Sequence, residues 1–313
     1  MLEHVVSLAL SLALLGAPGA SPEPAGDAET SHDGPQKEMT FRKTVQEVHL
    51  TFHVSARNGR PVKNLMVGQI AVSQDGRPVS SVTGFYADRD MALRLLLMID
   101  ASGSMMKGFP NERQSASAFL QRVIRPGIDQ SAVVSFSTHM AMESESDASS
   151  PASLQRVGNL QSAGLTALFD SLCQAAALFT AQNSGPASTR RVLVLLSDGD
   201  DTYSVRSLAD AIEAAQKSDV VIYAITAHDP REAHWGDANL ARLTEATGGR
   251  VFFLKNYDQS GKVFAEIEQE IRSQYAVTFP ARGDTCGFHR LGLEPADRSW
   301  RVRSRTGFHG DCM

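Results

Sequence analysis

No stretch of this 313-residue chain is apolar for long enough to cross a bilayer: the best run, Val5 to Leu15, falls short of the about 20 residues that a spanning helix needs. Lysine and arginine are scattered rather than clustered and the formal net charge is −5, so the footprint of a nucleic-acid binder is missing, as is that of a protein drawn to an anionic membrane surface. A phosphate-binding loop is lacking too, because Gly103 to Gly108 holds only Lys107 and does not have P-loop spacing. Nucleophilic hydrolysis needs a serine within reach of a histidine backed by an acid, and the segment around Ser102 has no such histidine near it in sequence. Cysteine is sparse, with three in the chain; none follows the Val5–Leu15 run, which leaves a lipid anchor at that junction without support.

With 42% hydrophobic residues the chain carries enough apolar material for a sizeable core, and its length suits one large domain or one and a half. Residues 1–20 read as a secretory signal, since the apolar run ends in Gly-Ala-Pro-Gly-Ala, small residues that a signal peptidase accepts. Glu3, and the lack of Lys or Arg before the run, depart from that pattern; a buried amphipathic segment is the competing reading. Residues 21–43 have almost nothing to bury, with Pro22, Pro24, Gly26, Gly34 and Pro35 set among Ser, Asp and Glu, and read as a flexible linker.

Residues 44–90 change character. Val48, Leu50, Phe52 and Val54 alternate with His49, Thr51, His53 and Ser55, the pattern of a half-buried strand. Asn58-Gly59 and Asp75-Gly76 are dipeptides favoured in tight hairpins. His49 and His53 share a face but lie roughly 13 Å apart at the rise of a strand, too far to chelate one metal, and are expected on an exposed sheet surface.

From about Ala92 to Ser273 apolar runs and helical patterns alternate, which argues for an α/β unit on a central, mostly parallel sheet. Strands are expected at Leu95–Ile99, Ala132–Phe136, Met140–Glu143, Val192–Leu196, Val220–Ile225 and Val251–Leu254. Apolar stripes at helical spacing occur at Ala116, Leu120 and Val123, at Leu168, Leu172, Ala175 and Phe179, at Leu208 and Ile212, and at Val263, Ile267 and Ile271, with shorter ones around Leu154–Leu160 and Leu240–Ala246. Strand-like segments return at Tyr275–Phe279, Arg290–Leu293 and Trp300–Arg303. The expected class is therefore α/β: a doubly wound, mostly parallel six-stranded sheet flanked by helices over residues 91–274, with a small antiparallel β unit formed by residues 44–90 and 275–313.

The candidate chemistry lies where two strands end. Asp100, Ser102 and Ser104 fall at alternate positions just past the Leu95–Ile99 run, so a carboxylate and two hydroxyls can face a common point. Hard oxygen donors of this kind suit Mg²⁺ or Mn²⁺ better than zinc. Asp-x-Ser-x-Ser is also ordinary turn composition, but Leu195-Leu196-Ser197-Asp198-Gly199 repeats the arrangement, and Thr166 heads the helical pattern that begins at Leu168. In a doubly wound sheet, ligands bind at the carboxyl ends of the strands where the strand order reverses, which brings Asp100 and Asp198 to the same place.

At this point the sequence resembles the von Willebrand factor A-domain family, and Asp100, Ser102, Ser104, Thr166 and Asp198 match the five positions of its metal-ion-dependent adhesion site. The wider span 44–313, including Ala246-Thr247-Gly248-Gly249-Arg250, Ser273-Gln274-Tyr275 and Arg303-Ser304-Arg305-Thr306-Gly307-Phe308, is similar to a related, acidobacterial-type family of exported proteins in which β segments from both ends accompany one A-domain. Because the termini of an inserted domain usually lie close together, the two β segments are expected to pair into a small sandwich.

The resemblance implies that Ser102, Ser104 and Thr166 touch a cation directly while Asp100 and Asp198 act mainly through water, leaving the cation able to take a carboxylate oxygen from a partner. Met105, Met106, Lys107, Asp200, Asp201, Tyr203 and Trp235 are expected to wall the site. His139 and His228 each close a strand on the same edge, at spacings that do not demand chemistry. The expected function is that of a non-catalytic, secreted or periplasmic/cell-envelope module that binds an Asp- or Glu-bearing protein or peptide through Mg²⁺ (or Mn²⁺), with no nucleic acid and no transmembrane segment in the mature chain. A metal-assisted hydrolase and an envelope scaffold with a purely structural metal are the alternatives. Cys173 lies beside an apolar stripe and reads as a buried thiol; Cys286 and Cys312 bracket the last β segments and form a disulfide if the chain is exported, or two free thiols if it is not.

Overall fold

Alternation along the first strand decides how the chain begins to fold. In the computed structural model, which describes residues 47–107, 109–145, 147–181, 189–226, 234–254, 260–283 and 286–310, Val48, Leu50, Phe52 and Val54 of β1 (Glu47–Ser55) all point into one apolar core. Three short strands follow: β2 (Ile70–Gln74), β3 (Arg77–Pro78) and β4 (Gly84–Ala87). The expectations for residues 1–20 and 21–43 lie outside the described residues.

An α/β unit comes next, with β5 (Leu93–Asp100), α1 (Phe109–Val123), β6 (Gln130–Phe136), β7 (Met140–Ser144), α2 (Pro151–Asn159), α3 (Leu168–Ala181), β8 (Arg190–Leu196), α4 (Leu208–Lys217), β9 (Val220–Thr226), α5 (Trp235–Thr247), β10 (Val251–Phe253) and α6 (Ser260–Ile271). Its six strands form one sheet in the order β10-β9-β8-β5-β6-β7, parallel except for the antiparallel edge strand β7. Continuous apolar runs are what such a sheet requires, because helices cover both faces. Leu95, Leu97 and Ile99 of β5, with Val192, Val194 and Leu196 of β8, face the cluster that holds Phe119 of α1 and Phe264 and Ile267 of α6. Leu96 and Met98, with Leu193 and Leu195, face the opposite cluster with Leu172 of α3, Ala211 of α4 and Leu240 of α5. Each such side chain contributes about 1.5–3 kcal/mol of burial, so the central strands hold the chain ends that carry the polar loops.

The last strands, β11 (Gln274–Pro280), β12 (Gly287–Pro295), β13 (Arg301–Ser304) and β14 (Gly307–Gly310), join those of the first segment. They make two four-stranded antiparallel sheets, β13-β1-β11-β4 and β14-β12-β2-β3. The expected pairing of the two ends is therefore present, with β1 and β11 in register from Glu47↔Pro280 to His53↔Gln274. Phe52, Tyr275 and Phe85 stack at the centre of the shared core.

The second face of β1 departs from expectation. Thr51 and His53 are 3% exposed, not solvent-facing, and His49 is partly buried. They are covered by the end of the α/β unit: His49 Nδ1 lies 2.7 Å from Asp219 Oδ2, beyond α4, and Arg305 Nη1 lies 3.5 Å from the other oxygen of that carboxylate. Arg303 pairs with Glu270 of α6, and Arg250 Nε reaches the same carboxylate at 2.6 Å. Gly248, at φ 86° beyond α5, both ends that helix and lets the Ser304–Arg305 backbone approach, where a Cβ would collide. Burial, reinforced by the charges of Arg303 and Arg250, pushes the His53 imidazole down to about 3, so it packs as the neutral ring.

Candidate metal centre

Strands β5 and β8 are hydrogen-bonded neighbours, with Ile99 opposite Leu196, so the loops that follow them leave the same edge side by side. Asp100 is fully buried there. Its Oδ1 accepts the Ser102 N–H at 2.9 Å and its Oδ2 accepts the Ser197 hydroxyl at 2.6 Å. Ser102 is also buried, and its hydroxyl lies 3.1 Å from that of Ser104. On the β8 side, Ser197 Oγ receives the Gly199 N–H at 3.1 Å, and Asp198 Oδ1 receives the Asp200 N–H at 3.1 Å.

The third segment is clamped to both loops. Gly103 N–H donates to the Gly164 carbonyl at 3.1 Å and Ala163 N–H to that of Ala101 at 2.7 Å. Thr166 N–H donates to Thr202 Oγ1 at 3.0 Å, while the Thr166 carbonyl accepts from Thr202 and Tyr203 at 2.8 and 3.0 Å. The Thr166 side chain, buried, is thus held by its backbone two residues ahead of α3. Close approach on the far side depends on two glycines: Gly199 sits at φ 81° with no room for a Cβ against the Gly236 carbonyl, and a Cβ on Gly236 would strike the carbonyl of Asp198. Asn239 of α5 completes that contact with a 3.0 Å hydrogen bond to the Gly199 carbonyl.

Among the described residues the site is short of positive charge. Burial is the main reason that the Asp100 carboxyl is pushed up to about 6; Asp198 adds to the effect, and the hydrogen bonds from Ser102 and Ser197 oppose it. Among the described residues neither Asp100 nor Asp198 has an ion-pair partner. Nor do three or more His, Cys, Asp or Glu side chains converge anywhere among them, so the donors on offer are hydroxyls and a pair of carboxylates rather than a zinc-type cage. A buried carboxylate and a half-buried one, without a counter-ion among the described residues and with hydroxyls beside them, fit a hard divalent cation such as Mg²⁺ or Mn²⁺.

Of the five expected residues, Asp100, Ser102 and Ser104 are joined by direct hydrogen bonds, Asp198 lies within electrostatic range of Asp100, and Thr166 is brought in through the backbone of its loop. Ser197 and Thr202 were not expected; the only hint is that each is a hydroxyl residue beside an acid, Asp198 or Asp201. The expected wall needs correction. Met105 is buried in the core, and Asp201 turns inward to accept the Phe169 N–H at 3.2 Å and the Ser204 hydroxyl at 2.6 Å. Tyr203 and Trp235 are exposed, His139 is exposed, and the side chains of Met106 and Lys107, like the whole of His228, lie outside the described residues.

The sequence profile of the von Willebrand factor type A domain matches residues 95–266. The chain belongs to that family. The matched span runs from the middle of β5 into α6, so it takes in all five candidate ligands and leaves out the two small antiparallel sheets. A similar fold is seen in a von Willebrand factor type A protein from Catenulispora acidiphila, at 14% identity and a TM-score of 0.50, over 86% of this chain and 74% of that one. Proximal thread matrix protein 1 from the mussel byssus aligns at 18% identity and a TM-score of 0.47, over 71% of this chain and 50% of that one. The PilB minor pilin of Streptococcus sanguinis aligns at 17% identity and a TM-score of 0.44, over 58% of this chain and 61% of that one. No curated protein sequence matches significantly. Type A modules typically serve adhesion or protein interaction and are usually not catalytic. Among the described residues no helix is long and apolar enough to cross a membrane.

Proposed function

We propose that this A domain is an exported interaction module that binds an Asp- or Glu-bearing protein or peptide through Mg²⁺ or Mn²⁺ held by Asp100, Ser102, Ser104, Thr166 and Asp198. The observation that carries the reading is the meeting of three clamped loops at a fully buried carboxylate that has a second acid near it and no ion-pair partner among the described residues. When bound, the cation supplies the missing positive charge and a coordination position open to an oxygen from a partner. The residues of the chain do the rest. Ser102, Ser104 and Thr166 offer neutral oxygens, and neutral ligands leave more of the positive charge unneutralised for an incoming carboxylate. Asp100 holds the Ser102–Ser104 loop through the Ser102 N–H, and Asp198 braces its own loop, whose Thr202 and Tyr203 clamp Thr166, through the Asp200 N–H.

A catalytic reading has less behind it, since among the described residues the Ser102 hydroxyl meets the Ser104 hydroxyl and the Asp100 carboxylate and no imidazole. Export draws support from the redox state of the last segment: Cys286 is disulfide-bonded and Cys173 is free, while Cys312 lies outside the described residues. The test is capture of partners from native envelope extract by the immobilised chain in Mg²⁺ and in EDTA. A partner that is retained only with the cation, and lost when its own carboxylates are neutralised, supports the proposal. Retention indifferent to both treatments overturns it in favour of a scaffold, and metal-dependent turnover of a bound partner overturns it in favour of a hydrolase.

A further inference from the structure

Large apolar side chains left in solvent are not spread evenly over the molecule. Ten occur among the described residues, and four of them, Leu165, Tyr203, Val205 and Trp235, lie on the segments that carry or abut Thr166 and Asp198. Leu165 directly precedes Thr166. Tyr203 donates its N–H to the Thr166 carbonyl at 3.0 Å, and Val205 donates its own to Asp170 Oδ2, in the first turn of α3, at 3.1 Å. Trp235 stands on the other flank, next to the Gly236 whose backbone abuts Asp198 and Gly199.

Val205 and Trp235 are 95% and 93% exposed, close to the limit for any side chain. A single exposed hydrophobe needs no explanation, but a group of them at one site does. Their loop is not loosely held. Asp170 accepts the N–H groups of Val205 and Arg206, Asp201 accepts those of Phe169 and Ser204, and Ser207 caps α4 with Asp210. Asp201, Ser204 and Ser207 of the loop are engaged as caps or in its internal hydrogen bonds, while Tyr203 and Val205 stand out in solvent. Apolar groups presented by a fixed backbone lose little entropy when a partner covers them.

We infer that Leu165, Tyr203, Val205 and Trp235 form an apolar collar that selects a protein segment carrying a single carboxylate with bulky apolar side chains on both sides of it. This deepens the proposed function and rests on its cation-dependent reading. Charge narrows the partner further. Asp200 stands partly exposed beside the site, with His234 Nε2 at 3.8 Å, so a second acid on the partner meets repulsion and a run of acids binds less well than one. An anionic lipid surface is disfavoured by the same carboxylate and lacks the basic cluster it needs.

The test uses the full chain and a displayed library of random peptides, selected in Mg²⁺ and eluted with EDTA. Enrichment of peptides with one Asp or Glu flanked by Trp, Phe, Tyr, Leu, Ile or Val is expected. Trp235→Ser and Val205→Ser, made separately, should each weaken the selected peptides by roughly tenfold while leaving the Mg²⁺-induced thermal shift unchanged. Cation-dependent acidic peptides without an apolar bias, or unaltered affinity in both variants, overturn the collar and leave the metal reading standing. Peptides that stay bound through the EDTA wash and share no carboxylate, with none released by EDTA, overturn both. Concentration-dependent self-association of the wild-type chain, abolished by Trp235→Ser, assigns the collar to a second copy and overturns the partner inferred here.

Discussion

His53 makes the stability of this molecule sensitive to acid, and its position allows the size of the effect to be worked out. The ring lies where the first antiparallel sheet meets the α/β unit, 3% exposed, with Nδ1 at 3.5 Å from Arg303 Nη2 and no partner for Nε2. Burial first, then Arg303 and Arg250, lower its protonation from 6.5 to about 3. A group whose folded-state value lies below its unfolded one takes up a proton first in the unfolded chain, so stability falls as pH drops through 6.5 and goes on falling toward 3. Between about pH 8 and about pH 5 the loss from this residue alone is about 2 kcal/mol, a drop of roughly 4–8 °C in Tm for a unit of this size. Other carboxylates and histidines titrate over the same range, so the informative quantity is the difference between the wild type and His53→Asn, whose Oδ1 replaces the Nδ1 acceptor without a titratable proton. Urea unfolding of both proteins across this range should give a His53→Asn profile flatter by about 2 kcal/mol, and the imidazole resonances of His53 should stay those of the neutral ring at about pH 5. Parallel profiles, or a His53 resonance that titrates near 6.5, refute the reasoning.

Three further outcomes follow from the site and its frame. Thr166→Ala removes a hydroxyl with no hydrogen bond among the described residues; stability in EDTA should change by less than about 1 kcal/mol, while partner binding falls to its EDTA level, measured by titration of one captured partner. Gly199→Ala should cost about 2–4 kcal/mol in urea unfolding, because φ 81° and the Gly236 carbonyl leave no place for a methyl group; a cost under about 0.5 kcal/mol contradicts that packing. Non-reducing peptide mapping of protein recovered from an oxidising compartment should show Cys286 joined to Cys312, and reduction should lower stability by about 3 kcal/mol on the chain-entropy estimate; two alkylatable thiols there defeat both the bridge and the case for export.

The central sheet and the strand ends that carry the candidate site were legible in the sequence because strands buried on both faces must be apolar throughout, so the abrupt change at Asp100 and Ser197 marks where each strand leaves the core. The polar face of β1 was misread for a definite reason. Alternation reports which side chains avoid the apolar core, not whether the other face meets water, and the cover over His49, Thr51 and His53 comes from Asp219, Glu270 and Arg303, more than 160 positions away in sequence. Strands β3, β4 and β14 span only 2–4 residues, too few for a periodic signal, and they carry the edges of the two small sheets. Met105 was expected at the rim because it follows Ser104, but the short 3-10 turn at Gly103–Lys107 folds it back into the core.

The central claim is that the five oxygen-bearing residues hold one divalent cation. Calorimetric titration of the EDTA-treated, dialysed chain with Mg²⁺ or Mn²⁺ tests it most directly, read beside thermal unfolding, where cation at about a hundred times its Kd should add about 2.7 kcal/mol. One site per chain is predicted, absent in both Asp100→Ala and Asp198→Ala variants that still unfold cooperatively. No binding by the wild type, or binding that survives both substitutions, contradicts the account.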